Sequence, residues 1–225
     1  MTPAQFVHTL QLTDSFFPVG AFAYSDGLET AAATGRVHDV DSLAGWIDHF
    51  LHAVFAPCEG LALLKCMRAI ENGDWAVVSA LDEELTALKP AAATRASSQS
   101  MGKRLLTTYA ATVEDGSFEM TSGIAGPCNA PIAYAIVFAH RRIDRREALL
   151  GYGYMRLAGM ISAGLRLIAI GQQQGQILLN KELDRLTEVT EQILQRETEP
   201  LRSFSPLMDV EQMNHHYLYS KLFRS

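Results

Sequence analysis

Cysteine is scarce in this chain. Only Cys58, Cys66 and Cys128 occur, an odd number without C-x-x-C spacing, so neither a disulfide framework nor a structural zinc site is expected, and a reducing compartment fits best. Positive charge is short too: 19 Lys and Arg stand against 25 Asp and Glu, for a formal charge of −6. With a pI near 5.6 and no extended Lys or Arg run, a phosphate backbone is excluded as the main ligand, and no nucleic-acid partner is expected. The first twelve residues lack both a basic n-region and a long apolar h-region, so no signal peptide is read and a cytoplasmic location is expected. Catalytic signatures are missing as well. There is no G-x-S-x-G elbow, no H-E-x-x-H and no carboxylate pair spaced as an acid and a base. Gly102-Lys103 resembles the end of a phosphate-binding loop, but Ser97 stands where that loop needs glycine and Arg104 where it needs Ser or Thr. No catalytic residue, metal ligand or cofactor site is therefore assigned.

What remains is an ordinary globular composition. Of the 225 residues 48% are hydrophobic and 20% charged, enough for one domain, residues 1–225, to bury a sizeable core. No sustained period-two alternation and no internal repeat is found, whereas helical periodicity recurs. Leu43, Trp46, Ile47, Phe50, Leu51 and Val54 form one stripe, with Asp41 as its expected cap; Pro57 should restart or kink this helix before the Asn72-Gly73 stop. Asp74 is a good N-cap for Trp75, Val78, Leu81, Leu85 and Leu88. Met101, Leu105, Tyr109 and Val113 fall four apart on a long helix, and residues 114–131 read as an unusually long glycine-rich loop. Further helices are expected to end near Phe138, over about 172–199, and around Val210, Met213, Tyr217 and Leu218. Residues 148–170 could be mistaken for a membrane span. Their five Leu and three Ile favour insertion by about 2–5 kcal/mol in total, while Arg156 and Arg166 each oppose it by about 2.5–3.5 kcal/mol, so a buried central helix is expected instead, with Gly151, Gly153, Gly159 and Gly164 admitting close neighbours. The class is all-α, a bundle of about ten helices with no membrane partner.

His49 and His52, three apart, could share a metal, but a third ligand is not evident. His215 and His216 diverge by about 100° on a helix and look more like contact residues. Four stretches exceed what packing asks for. The run from Phe16 through Pro18-Val19-Gly20 to Tyr24-Ser25-Asp26-Gly27-Leu28-Glu29 mixes aromatics with Pro and Gly where a helix should begin. Arg95-Ala96-Ser97-Ser98-Gln99-Ser100-Met101-Gly102 lines a helix with small residues that would permit close approach by another helix. Arg166 to Gln172 closes the central helix. Residues 204–225 form an aromatic and basic tail, and aromatic and Arg enrichment at exposed ends favours a partner surface.

These four stretches carry a resemblance to the urease accessory protein family UreF that covers nearly the whole chain, from Leu10 to Ser225. The family's Pro-x-Gly turn and Tyr-Ser-x-Gly-Leu-Glu stand here at Pro18-Val19-Gly20 and residues 24–29, its Met-Gly pair at Met101-Gly102, and its Arg-Leu-x-x-x-Gly-Gln run at 166–172. The tail from His215 to Ser225 matches its His-x-x-Leu-Tyr-x-Arg-Leu-Phe-x-Ser ending, with Lys221 in place of the arginine. The chain departs at Asn129-Ala130-Pro131, where the family commonly has His-x-Pro. The resemblance implies a helical homodimer that joins the accessory protein UreD (also called UreH) and the GTPase UreG, in an assembly that delivers nickel to urease apoprotein, whose active-site lysine becomes carbamylated. Nickel and GTP would sit on the partner proteins. The partner-binding residues it implies are Tyr24, Ser25, Gly27, Leu28, Glu29, Arg95, Met101, Gly102 and Arg104 for the dimer or UreG. For UreD they are His215, Tyr217, Tyr219, Lys221, Leu222, Phe223, Arg224 and Ser225. A direct nickel carrier using His49 and His52, and a helical enzyme, are the alternatives.

Overall fold

The computed structural model describes residues 1–113, 118 and 126–224; among them the chain forms ten α-helices joined by short turns and one-turn helices, and no strand. Most of the predicted loop, and Ser225, lie outside the described residues. Local chemistry sets most helix ends. Thr2 and Gln5 make a reciprocal capping box at the start of α1 (Pro3–Thr13). The short α2 (Leu28–Ala33) follows the Asp26-Gly27 turn. The cap of α3 (Val40–Phe50) is Asp39, one turn position earlier than the expected Asp41: Asp39 is extended and accepts the Ser42 amide at 2.9 Å, while Asp41 already lies inside the helix. Asp74 caps α5 (Trp75–Ala87) as expected, through the Val77 amide.

Pro57 neither stops nor restarts its helix. It has no N–H to donate, and residues Leu51–Glu59 widen into a π-helix in which the Gly60 amide reaches back five residues to the Phe55 carbonyl. The Pro57 carbonyl accepts the Arg202 amide at 3.0 Å from the segment after α9. The chain then runs straight into α4 (Gly60–Glu71), giving a continuous helical run over Val40–Glu71. That run is long and apolar enough to cross a membrane, yet 72% of its apolar window is buried in the protein, as in a core helix.

The helix buried on every side is α7 (Ala130–His140), whose residues 130–138 are all buried. This differs from the expectation for α8 (Arg145–Leu167). With charged and polar residues interspersed, α8 buries one face through Leu149, Tyr152, Leu157 and Ile161 and leaves Tyr154, Gly159 and Ser162 at the surface. Its glycines admit side chains rather than neighbouring backbones: Gly151 faces Thr9 and Thr13, Gly153 faces Leu186, and Gly164 faces Leu43. Around α7 stand α4, α5, α6 (Ala92–Ala111) and α8, with α9 (Gln172–Gln195) packed along α8. The last helix, α10 (Pro206–Asn214), lies against α2 and α6.

Gly102 marks the tightest approach. A Cβ there would fall 2.0 Å from the Cys128 carbonyl oxygen, so the small-residue face of α6 takes the extended backbone at Cys128 and Asn129 rather than another helix. Asn129 stands where the related family has histidine, and it is fully buried. Its amide nitrogen donates to Asp82 Oδ1 at 2.7 Å and Thr86 Oγ1 at 2.7 Å, and the Asp82 carboxylate takes the backbone amides of Cys128 and Asn129. A buried carboxylate thus supplies the acceptor that the start of α7 needs.

Candidate partner-binding surface

The four stretches singled out in the sequence meet in space. Gly20 adopts φ +78°, and a Cβ there would lie 2.6 Å from Arg104 Nη1, so α6 packs against the first turn only because that residue is glycine. Arg166 on α8 donates to the Phe22 carbonyl at 3.3 Å and lays its guanidinium 4.2 Å from the Phe223 ring centroid. The Arg224 amide donates to the Ala23 carbonyl at 2.8 Å. Glu29 closes the set. Its carboxylate lies 2.7 Å from His215 Nε2 and accepts the amides of Leu222 at 2.5 Å and Phe223 at 3.2 Å.

The tail is therefore not free of the subunit, as the sequence suggested, but divided. His215 and Phe223 are buried against α2 and α8, whereas Tyr217, Tyr219, Lys221, Leu222 and Arg224 are exposed, Tyr219 fully. Among the other predicted residues, Tyr24 is half-buried, and Ser25, Gly27, Leu28, Glu29, Met101 and Gly102 are buried; Arg104 is exposed. Arg95 closes the turn between α5 and α6 by donating to the carbonyls of Lys89 and Pro90.

The terminal helix is amphipathic in the opposite sense from an ordinary surface helix. Its inner side is polar: Ser205 meets His49 Nε2 at 2.9 Å, Glu211 pairs with Arg36 at 2.6 Å, and Gln212 bridges Thr94 and the Asp26 carbonyl. Met208 is the apolar side chain buried with them. Its outer side carries Leu207, Val210 and Met213 at helical spacing, each more than 40% exposed, continued by Phe204 and Tyr217. A second apolar area lies on α1 and the segment after it, where Val7, Leu10 and Phe16 are exposed.

Beneath this surface lies an ionic cluster that the sequence reading missed. Glu59, at the end of the π-helix, accepts Lys89 Nζ at 2.6 Å on one oxygen and Arg156 Nη1 at 2.6 Å on the other. Arg156 Nη2 reaches Asp26 at 2.7 Å, and its guanidinium lies 4.8 Å from the Phe50 ring centroid. Burial alone would raise the Glu59 pKa, but the two cations overrule it and bring it down to about 2. Burial likewise works against charged Lys89, and Glu59 overrules it, raising the ammonium's pKa. The signal was present in the sequence: Glu59, Lys89 and Arg156 each interrupt an apolar helical stretch. As for metal chemistry, His49 is engaged with Ser205 and His52 lies 3.7 Å from Asp48, and the described residues contain no group of three or more His, Cys, Asp or Glu placed to hold an ion.

The family model described as UreF matches residues 37–181. Over its whole length the chain is 30% identical to the urease accessory protein UreF of Trichormus variabilis, covering 98% of that protein. It is 34% identical over 218 residues to the protein of the same description from Microcystis aeruginosa, covering 96% of each chain. The counterpart from Granulibacter bethesdensis is 32% identical over 210 residues, 93% of this chain and 89% of that one.

Proposed function

Because the chain belongs to the UreF family of urease accessory proteins, we propose that it is a non-catalytic scaffold that joins UreD and the GTPase UreG and governs GTP-dependent nickel delivery to urease apoprotein in the cytoplasm. Nickel and GTP reside on its partners. The observation that carries the reading is the reversed amphipathicity of α10: a terminal helix seated through Ser205, Glu211 and Gln212 turns Leu207, Val210 and Met213 towards solvent. A contiguous apolar face at the end of a chain is what a protein partner covers. UreD is assigned to this face and the exposed tail side chains. The surface formed by residues 20–29 and α6 is assigned to UreG or to the mate in a homodimer.

The division of the tail dictates the test. Truncation would remove Phe223 and leave Glu29 without its donors, mixing docking with folding. Replacing the outward residues Tyr217, Tyr219 and Leu222 by serine leaves His215 and Phe223 seated. The triple variant should keep the circular dichroism of the wild type and lose co-purification with UreD; survival of co-purification would reject the assignment. Equilibrium dialysis against nickel checks the carrier reading: one tightly held ion per chain, lost on replacing His49 and His52, would overturn the scaffold.

A further inference from the structure

Asp26 has φ +52° and Gly27 follows at φ +86°, two successive residues in the left-handed region. Glycine adopts that conformation freely; aspartate does so at a cost and needs its surroundings to hold it. Much hangs on the turn. The Ser25 carbonyl accepts the Leu28 amide and the Gly27 carbonyl accepts the Ala31 amide, which together start α2. A Cβ at Gly27 would lie 2.9 Å from Gln212 Cγ, so the turn also fixes how closely α10 sits.

We infer that Arg156 is a positioning residue that holds this left-handed turn, and with it the surface at residues 24–29, by bridging Asp26 to the buried carboxylate of Glu59. The geometry is that of a planar fork: Nη2 lies 2.7 Å from Asp26 Oδ2 and Nη1 2.6 Å from Glu59 Oε2. Glu59 is itself fixed by Lys89 at 2.6 Å, and the fork is wedged against Phe50. The side chain of Asp26 is 19% exposed while those of Arg156 and Glu59 are 11% and 3% exposed, so the bridge leads from the interior to the rim of the surface. A lysine at this position could carry the charge but could not address two carboxylates in one plane.

The positioning of the turn is independent of any partner; its consequence for binding rests on the assignment of residues 20–29 to UreG. Hydrogen exchange of the full-length chain, read by mass spectrometry, tests the first in a double-mutant cycle of Arg156→Lys and Asp26→Gly. Arg156→Lys should raise exchange over residues 24–29 about tenfold, the size of one charge-assisted hydrogen bond, with α4 and α7 unchanged. In the Asp26→Gly background, where the turn no longer needs holding, the same substitution should add less than about twofold, since the coupling is gone. An equal rise in both backgrounds, or a rise spread over α4 and α7, would show a packing role only and overturn the inference; so would no rise at all. Should Arg156→Lys not fold, Asp26→Asn keeps the left-handed preference while giving up the charge, and exchange confined to 24–29 should then rise severalfold; an unchanged pattern again overturns it. Capture of UreG by the same variants separates the two layers: faster exchange with undiminished UreG capture leaves the positioning role standing and rejects the UreG assignment.

Discussion

Replacing Glu59 by glutamine removes one negative charge from the centre of the protein with almost no change in shape. The carboxylate accepts Lys89, Arg156 and, at 3.3 Å, the Tyr152 hydroxyl. Arg156 retains Asp26 in the variant, but the buried Lys89 ammonium loses the carboxylate that holds it. Removing one partner of a buried pair costs about 3–5 kcal/mol, because the remaining charge has neither water nor a counterion. Proton linkage gives a comparable figure: lowering the pKa of Glu59 from its ordinary 4.5 to about 2 corresponds to about 3 kcal/mol. For a chain of this length the loss translates into a fall in Tm of about 6–20 °C. The sign in pH follows from the direction of the shift. A depressed carboxylate contributes its full stabilisation above the unfolded value and surrenders it as pH falls towards the folded one, so the wild type should lose this increment between about pH 4.5 and 2 and the variant should not. Guanidinium titration at neutral pH and calorimetry down the acid limb measure both. Replacing Lys89 by methionine in the Glu59→Gln background should recover at least half of the loss, since the stranded charge is gone. A single variant within about 1 kcal/mol of wild type would refute the reasoning, as would a double variant no more stable than the single.

Two further outcomes follow from packing. Gly102→Ala gains helix propensity by about 1 kcal/mol, yet its methyl would meet the Cys128 carbonyl at 2.0 Å and backbone carbon of Asn129 at 3.0 Å; neither can step aside, so thermal denaturation should show a net loss of about 3 kcal/mol or more. All three cysteines are buried, and burial pushes the thiols of Cys58 and Cys128 up to about 12 and that of Cys66 higher still. Iodoacetamide at pH 8 should therefore leave the native chain unlabelled and modify three sites after unfolding; a label acquired in the native state would contradict the burial.

The helices were legible because their stripes and caps are local. Leu43, Trp46, Ile47 and Phe50 announce one buried face, and Asp74 stops and starts the chain within a few residues. What stayed hidden was non-local. No periodicity shows that Glu59, Lys89 and Arg156, 97 residues apart from first to last, share one buried knot, nor that Glu29 takes the amides of Leu222 and Phe223 from the far end of the chain. Pro57 was rightly seen as a break in the amide ladder, but whether the chain stops, kinks or widens there depends on its packing neighbours. The candidate surface was found through motifs rather than physics: the motifs marked which residues matter, and the coordinates separated those that hold the surface, such as Glu29 and Gly20, from those that face outward, such as Tyr219 and Leu222.

The outward apolar side of α10 also governs how the isolated chain behaves in the test tube. Its greasy patches are kept from meeting one another by a charge of −6, and that repulsion fades near pH 5.6. Mildly acidic buffer or high salt, which screens the same charge, will therefore bring on clouding well before any helix melts. Co-expression with whatever covers that side is the remedy.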